Sequence, residues 1–157
     1  MYLIEVLERC SEIADRSARV YRLLADRFGH DHDRVALWRE LALEEETHAE
    51  VLRREVRSFR DAEQSGNYLP EYSQRLGTLE DKLNAMEAHA TTAHSLDDAL
   101  ALAVALEQTT LEDIYDDLIL QGEPAFRLIS ERVEAVLNRT PDQGSSGVIR
   151  RVRRRPA

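Results

Sequence analysis

Glycine and proline are scarce in this chain, at 6 and 4 of its 157 residues, which leaves few of the turn points that an architecture of many short strands needs. Cysteine occurs once, at Cys10, so there is no internal disulfide and no cysteine-clustered metal centre. No apolar run approaches the ~20 residues that span a bilayer. The opening MYLIEVLERC breaks its apolar residues with acids and has no basic stretch ahead of them, unlike a signal peptide. The expectation is a cytoplasmic protein without a membrane span. Strand-type alternation, a Gly-rich phosphate loop and short internal repeats are also missing.

What the chain does have is Leu, Glu, Ala and Arg in abundance, a composition that favours helices. Its length suits one domain with a substantial core. The formal net charge is -9, but the last ten residues, VIRRVRRRPA, hold five arginines and no acid. The rest therefore sets 16 basic against 30 acidic residues. So acidic a body argues against a general nucleic-acid-binding surface.

Periodicity predicts an all-α, four-helix bundle with a long crossover between helices two and three. The first helix covers residues 2–28, with Leu3, Leu7, Cys10, Ala14, Ser17, Tyr21, Leu24 and Phe28 alternating steps of four and three. Asp33 is placed to cap a second helix reaching about Gln64. Its inward line is Trp38, Leu41, Glu45, His48, Leu52, Val56 and Phe59, and Ser65-Gly66-Asn67 stops it. Residues 66–94 are too long for a tight hairpin and contain a short helix at 71–89, so they read as a crossover along the bundle. Ser95 and Asp98 have the spacing of a capping box. A third helix follows to Gln121, lined by Leu96, Leu100, Ala103, Glu107, Thr110, Ile114 and Leu118. Gly122 ends it, and Pro124 opens a fourth helix lined by Phe126, Ile129, Val133 and Val136. The bundle domain is residues 1–140, and residues 141–157 form a flexible, arginine-rich tail.

At mid-helix these inward lines bring Glu45, His48 and Glu107 into one core layer with Ala14, Val133 and Val136. A carboxylate and an imidazole one helical turn apart form half of a carboxylate-bridged di-metal site, which takes a Glu from each of two helices and Glu-x-x-His from each of the other two. Glu45, His48 and Glu107 are three donors of the six. Buried carboxylates need a proton, a partner or a cation, and oxygen donors with an imidazole suit iron or manganese. The same three residues could instead form a hydrogen-bonded triad with no metal. Glu12 and Asp15 flank Ala14 but point away from the central line unless a π-bulge turns Asp15 inward. Tyr21 reads as a core aromatic or a hydrogen-bonding tyrosine, and Thr110 as packing or a hydrogen-bond donor. Glu131 and Glu134 lie beside the apolar face. His30 and His32 fall in a loop, and His89 and His94 bracket a connection.

The segments CSEIADRSARVYRLLADRF, VALWRELALEEETHAEVL and DDALALAVALEQTTLEDIYDDL resemble the ferritin-like superfamily, and within it the rubrerythrin-like domains, over residues 5–138. The resemblance implies Trp38 as the usual second-helix aromatic, Glu45 as a bridging carboxylate, His48 as its imidazole and Glu107 as the third-helix ligand. It places Ala14 where such proteins carry a ligand Glu seven residues before the first-helix tyrosine, and Val133 and Val136 where a second Glu-x-x-His stands. Family members oxidise ferrous iron, reduce peroxide or store iron. The expectation for this chain is therefore a metal-binding protein with a reduced centre, a di-iron-type oxidoreductase lacking several expected ligands. The alternative is a non-catalytic oligomerisation or partner-binding bundle with a vestigial metal site.

Alanine-rich amphipathic helices also offer second faces to a symmetry mate, so a homo-oligomer, most simply a dimer, is expected. The arginine tail is expected to touch its own acidic body or a subunit neighbour, or else to dock an acidic partner, anionic lipid or nucleic acid.

Overall fold

The computed structural model describes residues 1–29 and 32–107, together with Ile114 and Glu131; of residues 32–34 and Glu107 it describes the backbone. Four α-helices occupy the described residues: α1 (Leu3–Arg27), α2 (His32–Asp61), α3 (Tyr72–Thr92) and α4 (Leu96–Glu107). The expected third helix is seen here as α4 up to Glu107. Of its continuation Ile114 alone is described, helical and buried, and of the expected fourth helix at 124–140 only Glu131; the linker and the arginine tail lie outside the described residues. No helix among the described residues is long and apolar enough to cross a membrane.

The first helix is the centre of this arrangement, and its heptad pattern explains why. All eight residues of the expected inward line are buried, and so are Val6, Ile13, Val20, Ser11, Ala18 and Ala25. The stripe Glu5, Glu12, Arg19 and Asp26 is left to solvent on its outer side, together with Arg22 and Arg27 towards the end of the helix. Two ionic strips border that stripe, one on each flank. Glu8, Asp15 and Arg22 pair with Arg60, Arg53 and Glu46 of α2. These partners step seven residues forward on one helix and seven back on the other, so α1 and α2 are antiparallel. Arg9 and Arg16 pair with Glu80 and Glu87 of α3, stepping seven forward on both helices, so α1 and α3 are parallel. Among the described residues α2 packs on α1 and on no other helix, while α3 and α4 pack on each other and on α1.

The crossover is anchored at both ends. At the base, the Leu3 and Ile4 amides, which have no partner inside their own helix, donate to Asn67 O at 2.9 Å and Ser65 O at 3.1 Å. Gly66 lies between these two carbonyls with φ at 72°, and a Cβ there would sit 2.5 Å from Leu3 Cβ. Glycine answers both the left-handed backbone and the close approach. At the far end, Arg27 donates from Nη1 and Nη2 to Thr91 O and Ala93 O, each at 2.7 Å, closing off carbonyls at the C-terminus of α3.

Two expected boundaries move. Asp33 lies inside α2, which begins at His32, so it is not the cap. The same helix ends at Asp61 rather than Gln64, because the chain turns through a Schellman motif: Gln64 N–H donates to Phe59 O, Glu63 N–H to Arg60 O, and Glu63 takes a φ of 53°. The local hydrogen bonds stop the helix before the Ser65-Gly66-Asn67 signal is reached. The capping box at Ser95 forms in full, with Ser95 N–H on Asp98 Oδ2 at 3.2 Å and Asp98 N–H on Ser95 Oγ at 3.1 Å. On α4 the buried line is Ala99, Leu102, Ala103 and Leu106, whereas Leu96 and Leu100 are half-buried. This helix is apolar nearly all round, so its sequence offers little contrast from which to read its rotation.

Candidate metal centre

The run LALEEETHAEVL is helical throughout, which puts Glu45 and His48 one turn apart on the face of α2 that carries Trp38, Leu41 and Leu52. The burial of those three residues identifies that face as the inner one. His48 and Glu45 keep only 9% and 13% of their side-chain surface, and His48 Nδ1 stands 3.6 Å from Glu45 Oε2. That separation is too long for a good hydrogen bond. It is close to the spacing of about 3.0–3.4 Å between two donors that share one cation at about 2.0–2.2 Å.

On α1, Ala14 is fully buried and brings no carboxylate. Its neighbour Asp15 faces outward and receives Arg53 Nη1 at 2.5 Å. Residues 3–27 are continuous α-helix, so the bulge that would turn Asp15 inward is absent, and Glu12 is exposed. Tyr21 is completely buried, in keeping with a core aromatic. The third expected donor, Glu107, occupies the last position of α4, and its side chain is outside the described residues. Thr110, Val133, Glu134 and Val136 are outside them as well. Glu131 is helical and exposed, His89 and His94 are exposed, and His30 and the His32 side chain are not among the described groups. Among the described residues no three His, Cys, Asp or Glu side chains converge as a ready metal cluster.

Sequence reasoning missed Glu55, which is buried with 8% exposure one heptad beyond His48. It stands in the charged run RREVR, where a glutamate reads as part of a solvated face. The available signal is its position three residues after Leu52 and seven after His48, at the edge of the inner face.

Three further groups bear on the chemistry of the interior. Cys10 is wholly buried, and loss of solvent pushes its thiol up to about 12, which disfavours the nucleophilic thiolate at neutral pH. Trp38 is fully buried, with its ring centroid 5.8 Å from that of Phe28, and its Nε1–H finds no acceptor among the described residues. A separate open cleft of about 390 Å³ lies between α3 and α4, lined by His89, Thr92, Ala93, Asp98, Ala101, Leu102 and Ala105. None of these residues belongs to α2, so the cleft is not an entrance built by the Glu45–His48 helix.

Compared with models of protein families, with curated proteins and with solved structures, the chain matches none.

Proposed function

We propose that this chain is a ferritin-like bundle that binds a single divalent ion, iron or manganese, through Glu45 and His48, with Glu107 as the third protein donor. The observation that carries the reading is the buried pair on the inner face of α2, with a carboxylate oxygen and an imidazole nitrogen 3.6 Å apart. Both groups lose most of their hydration on folding, a loss that a shared cation would offset. The donor set fits one ion. It does not fit two, because Ala14 supplies no carboxylate and a di-metal centre takes about six protein ligands.

In this reading Glu45 provides the anionic oxygen and His48 the neutral imidazole nitrogen, and the helix holds them one turn apart. Leu41, Leu52 and Ala49 exclude water around them. An iron or manganese ion bound there would supply one-electron redox chemistry, and water would complete its coordination. The competing reading is a bundle for partner binding in which His48 and Glu45 form a buried ion pair.

Metal analysis of the untagged protein separates the two. Near-stoichiometric iron or manganese, lost in a Glu45→Gln/His48→Gln double variant, supports the metal reading. A metal-free protein whose melting temperature ignores added manganese and anaerobic ferrous iron overturns it.

A further inference from the structure

The three ion pairs that join α1 to α2 fix the heights of the two helices against each other. Glu8 with Arg60, Asp15 with Arg53 and Arg22 with Glu46 are pairs whose residue numbers each add to 68. Residues that add to 68 therefore stand level across the antiparallel pair, and each step along either chain adds about 1.5 Å of rise. Glu45 and His48 are level with residues 23 and 20 of α1. Ala14 is level with residue 54, about 9–14 Å further down the axis. The layer expected from the inward lines is thus shifted by two turns on α1, and Ala14 does not face the Glu45–His48 pair.

Tyr21 takes that place. It is level with residue 47, within about 3 Å of rise of both Glu45 and His48. It belongs to the buried inner line of α1 and is completely buried. Ala18, Val20, Leu24 and Ala25, the other buried residues of this stretch, have no side-chain donor atom. Packed helices lie about 8–10 Å apart, and a tyrosine side chain spans most of that gap. Glu55, the other buried acid of α2, is level with Ile13 and about 10 Å of rise beyond His48, so it stands apart from the pair.

We propose that Tyr21 is a further protein donor at the Glu45–His48 site, its phenol oxygen reaching the ion from α1, and that the ion this site takes is iron. The proposal rests on the metal reading above and narrows it. A phenol buried this deeply needs a polar partner, and a hard oxygen is a fitting ligand for a hard cation. On binding, the hydroxyl proton leaves to water, as ligand protons do. Glu45 and Tyr21 then supply two anionic oxygens beside the His48 nitrogen, a set that suits the ferric state of iron better than a divalent ion.

Colour tests it, because ferric phenolate absorbs strongly in the visible and carboxylate or imidazole ligation does not. Ferric nitrilotriacetate is added to the metal-free, untagged full chain, and bound iron and the visible spectrum are measured together. The unaltered chain should bind iron and develop the band. Tyr21→Phe, which removes one oxygen atom, should lose the band and hold iron about tenfold or more less tightly. Tyr72→Phe should keep both, since Tyr72 is buried at the base of the bundle, level with Met1 in the register set by Arg9–Glu80 and Arg16–Glu87. Iron bound by the unaltered chain without a visible band overturns the proposal and leaves the metal reading standing, and this outcome needs no variant. A band that survives Tyr21→Phe overturns it as well. A chain that binds no iron, with Glu45 and His48 in place, overturns the iron assignment and the proposal together, and added manganese then decides the metal reading.

Discussion

Arg16 grips Glu87 with two parallel bonds, Nε to Oε1 at 2.9 Å and Nη2 to Oε2 at 2.7 Å, and one heptad earlier Arg9 grips Glu80 in the same way, at 2.7 and 2.6 Å. These paired forks set the register between α1 and the crossover helix. The guanidiniums, acting chiefly through those hydrogen bonds, hold both carboxyls below the usual carboxylate range. A carboxyl with a depressed folded-state pKa contributes stability that is present above its unfolded value and is lost as pH falls through the folded value. Replacing Arg9 and Arg16 by Met should therefore lower stability at pH 7, by about 1 kcal/mol or less per pair since both are partly exposed. It should also flatten the loss of stability below about pH 4.5. Urea unfolding at pH 7 and at pH 3.5 checks both effects; an undiminished acid limb would show that other carboxylates govern it.

For the metal centre, Glu45→Gln keeps the shape of the side chain and removes its charge. Metal affinity should fall about tenfold or more, while the stability of the metal-free protein changes little. If Glu45 and His48 are instead an ion pair, stability should drop, because the substitution leaves the imidazole without its carboxylate. Calorimetric titration with manganese and unfolding of the metal-free protein distinguish these outcomes.

The two left-handed positions in the 62–69 turn should respond in opposite ways. Gly66→Ala forces a Cβ into Leu3 and a side chain into positive φ, so it should cost more than the ~1 kcal/mol of the backbone alone. Glu63→Gly removes an exposed side chain from a φ of 53° and should be neutral or stabilising by up to about 1 kcal/mol. Denaturation midpoints of the two variants measure the contrast.

The Cys10 thiol should be silent in the native state. With its pKa pushed up to about 12 by burial, it should resist an aromatic disulfide reagent at pH 8 and release one equivalent on unfolding. Rapid labelling of the native protein would mean that α1 opens locally at this site.

Trp38→Phe removes an indole N–H that is buried without an acceptor among the described residues. Relief of that unsatisfied donor should offset much of the cost of the smaller ring, leaving a loss well below the ~3–5 kcal/mol of truncating a buried tryptophan to Ala. Comparison of Trp38→Phe with Trp38→Ala tests this.

Much of this protein could be read from residue order alone, because helix formation and amphipathic burial are local. The 3.6-residue period marked α1 to within a residue at each end, placed Glu45 and His48 on the inner face, and identified the Ser95–Asp98 box. It also set Glu12 and Asp15 outside. Where the period is weak, local pattern fails. The apolar run of α4 hides its rotation, and Glu55 among arginines looks solvated although it is buried. Only the tertiary structure decided which helices lie side by side. The acidic and basic strips of α1 have their partners 24 to 71 residues away, and many pairings would have satisfied their charge. The interlocking of those strips with the buried face, under close packing, selects one. The same global constraint makes Gly66 a contact with Leu3 as well as a turn residue, a relation that exists only once the chain has returned to the base of α1.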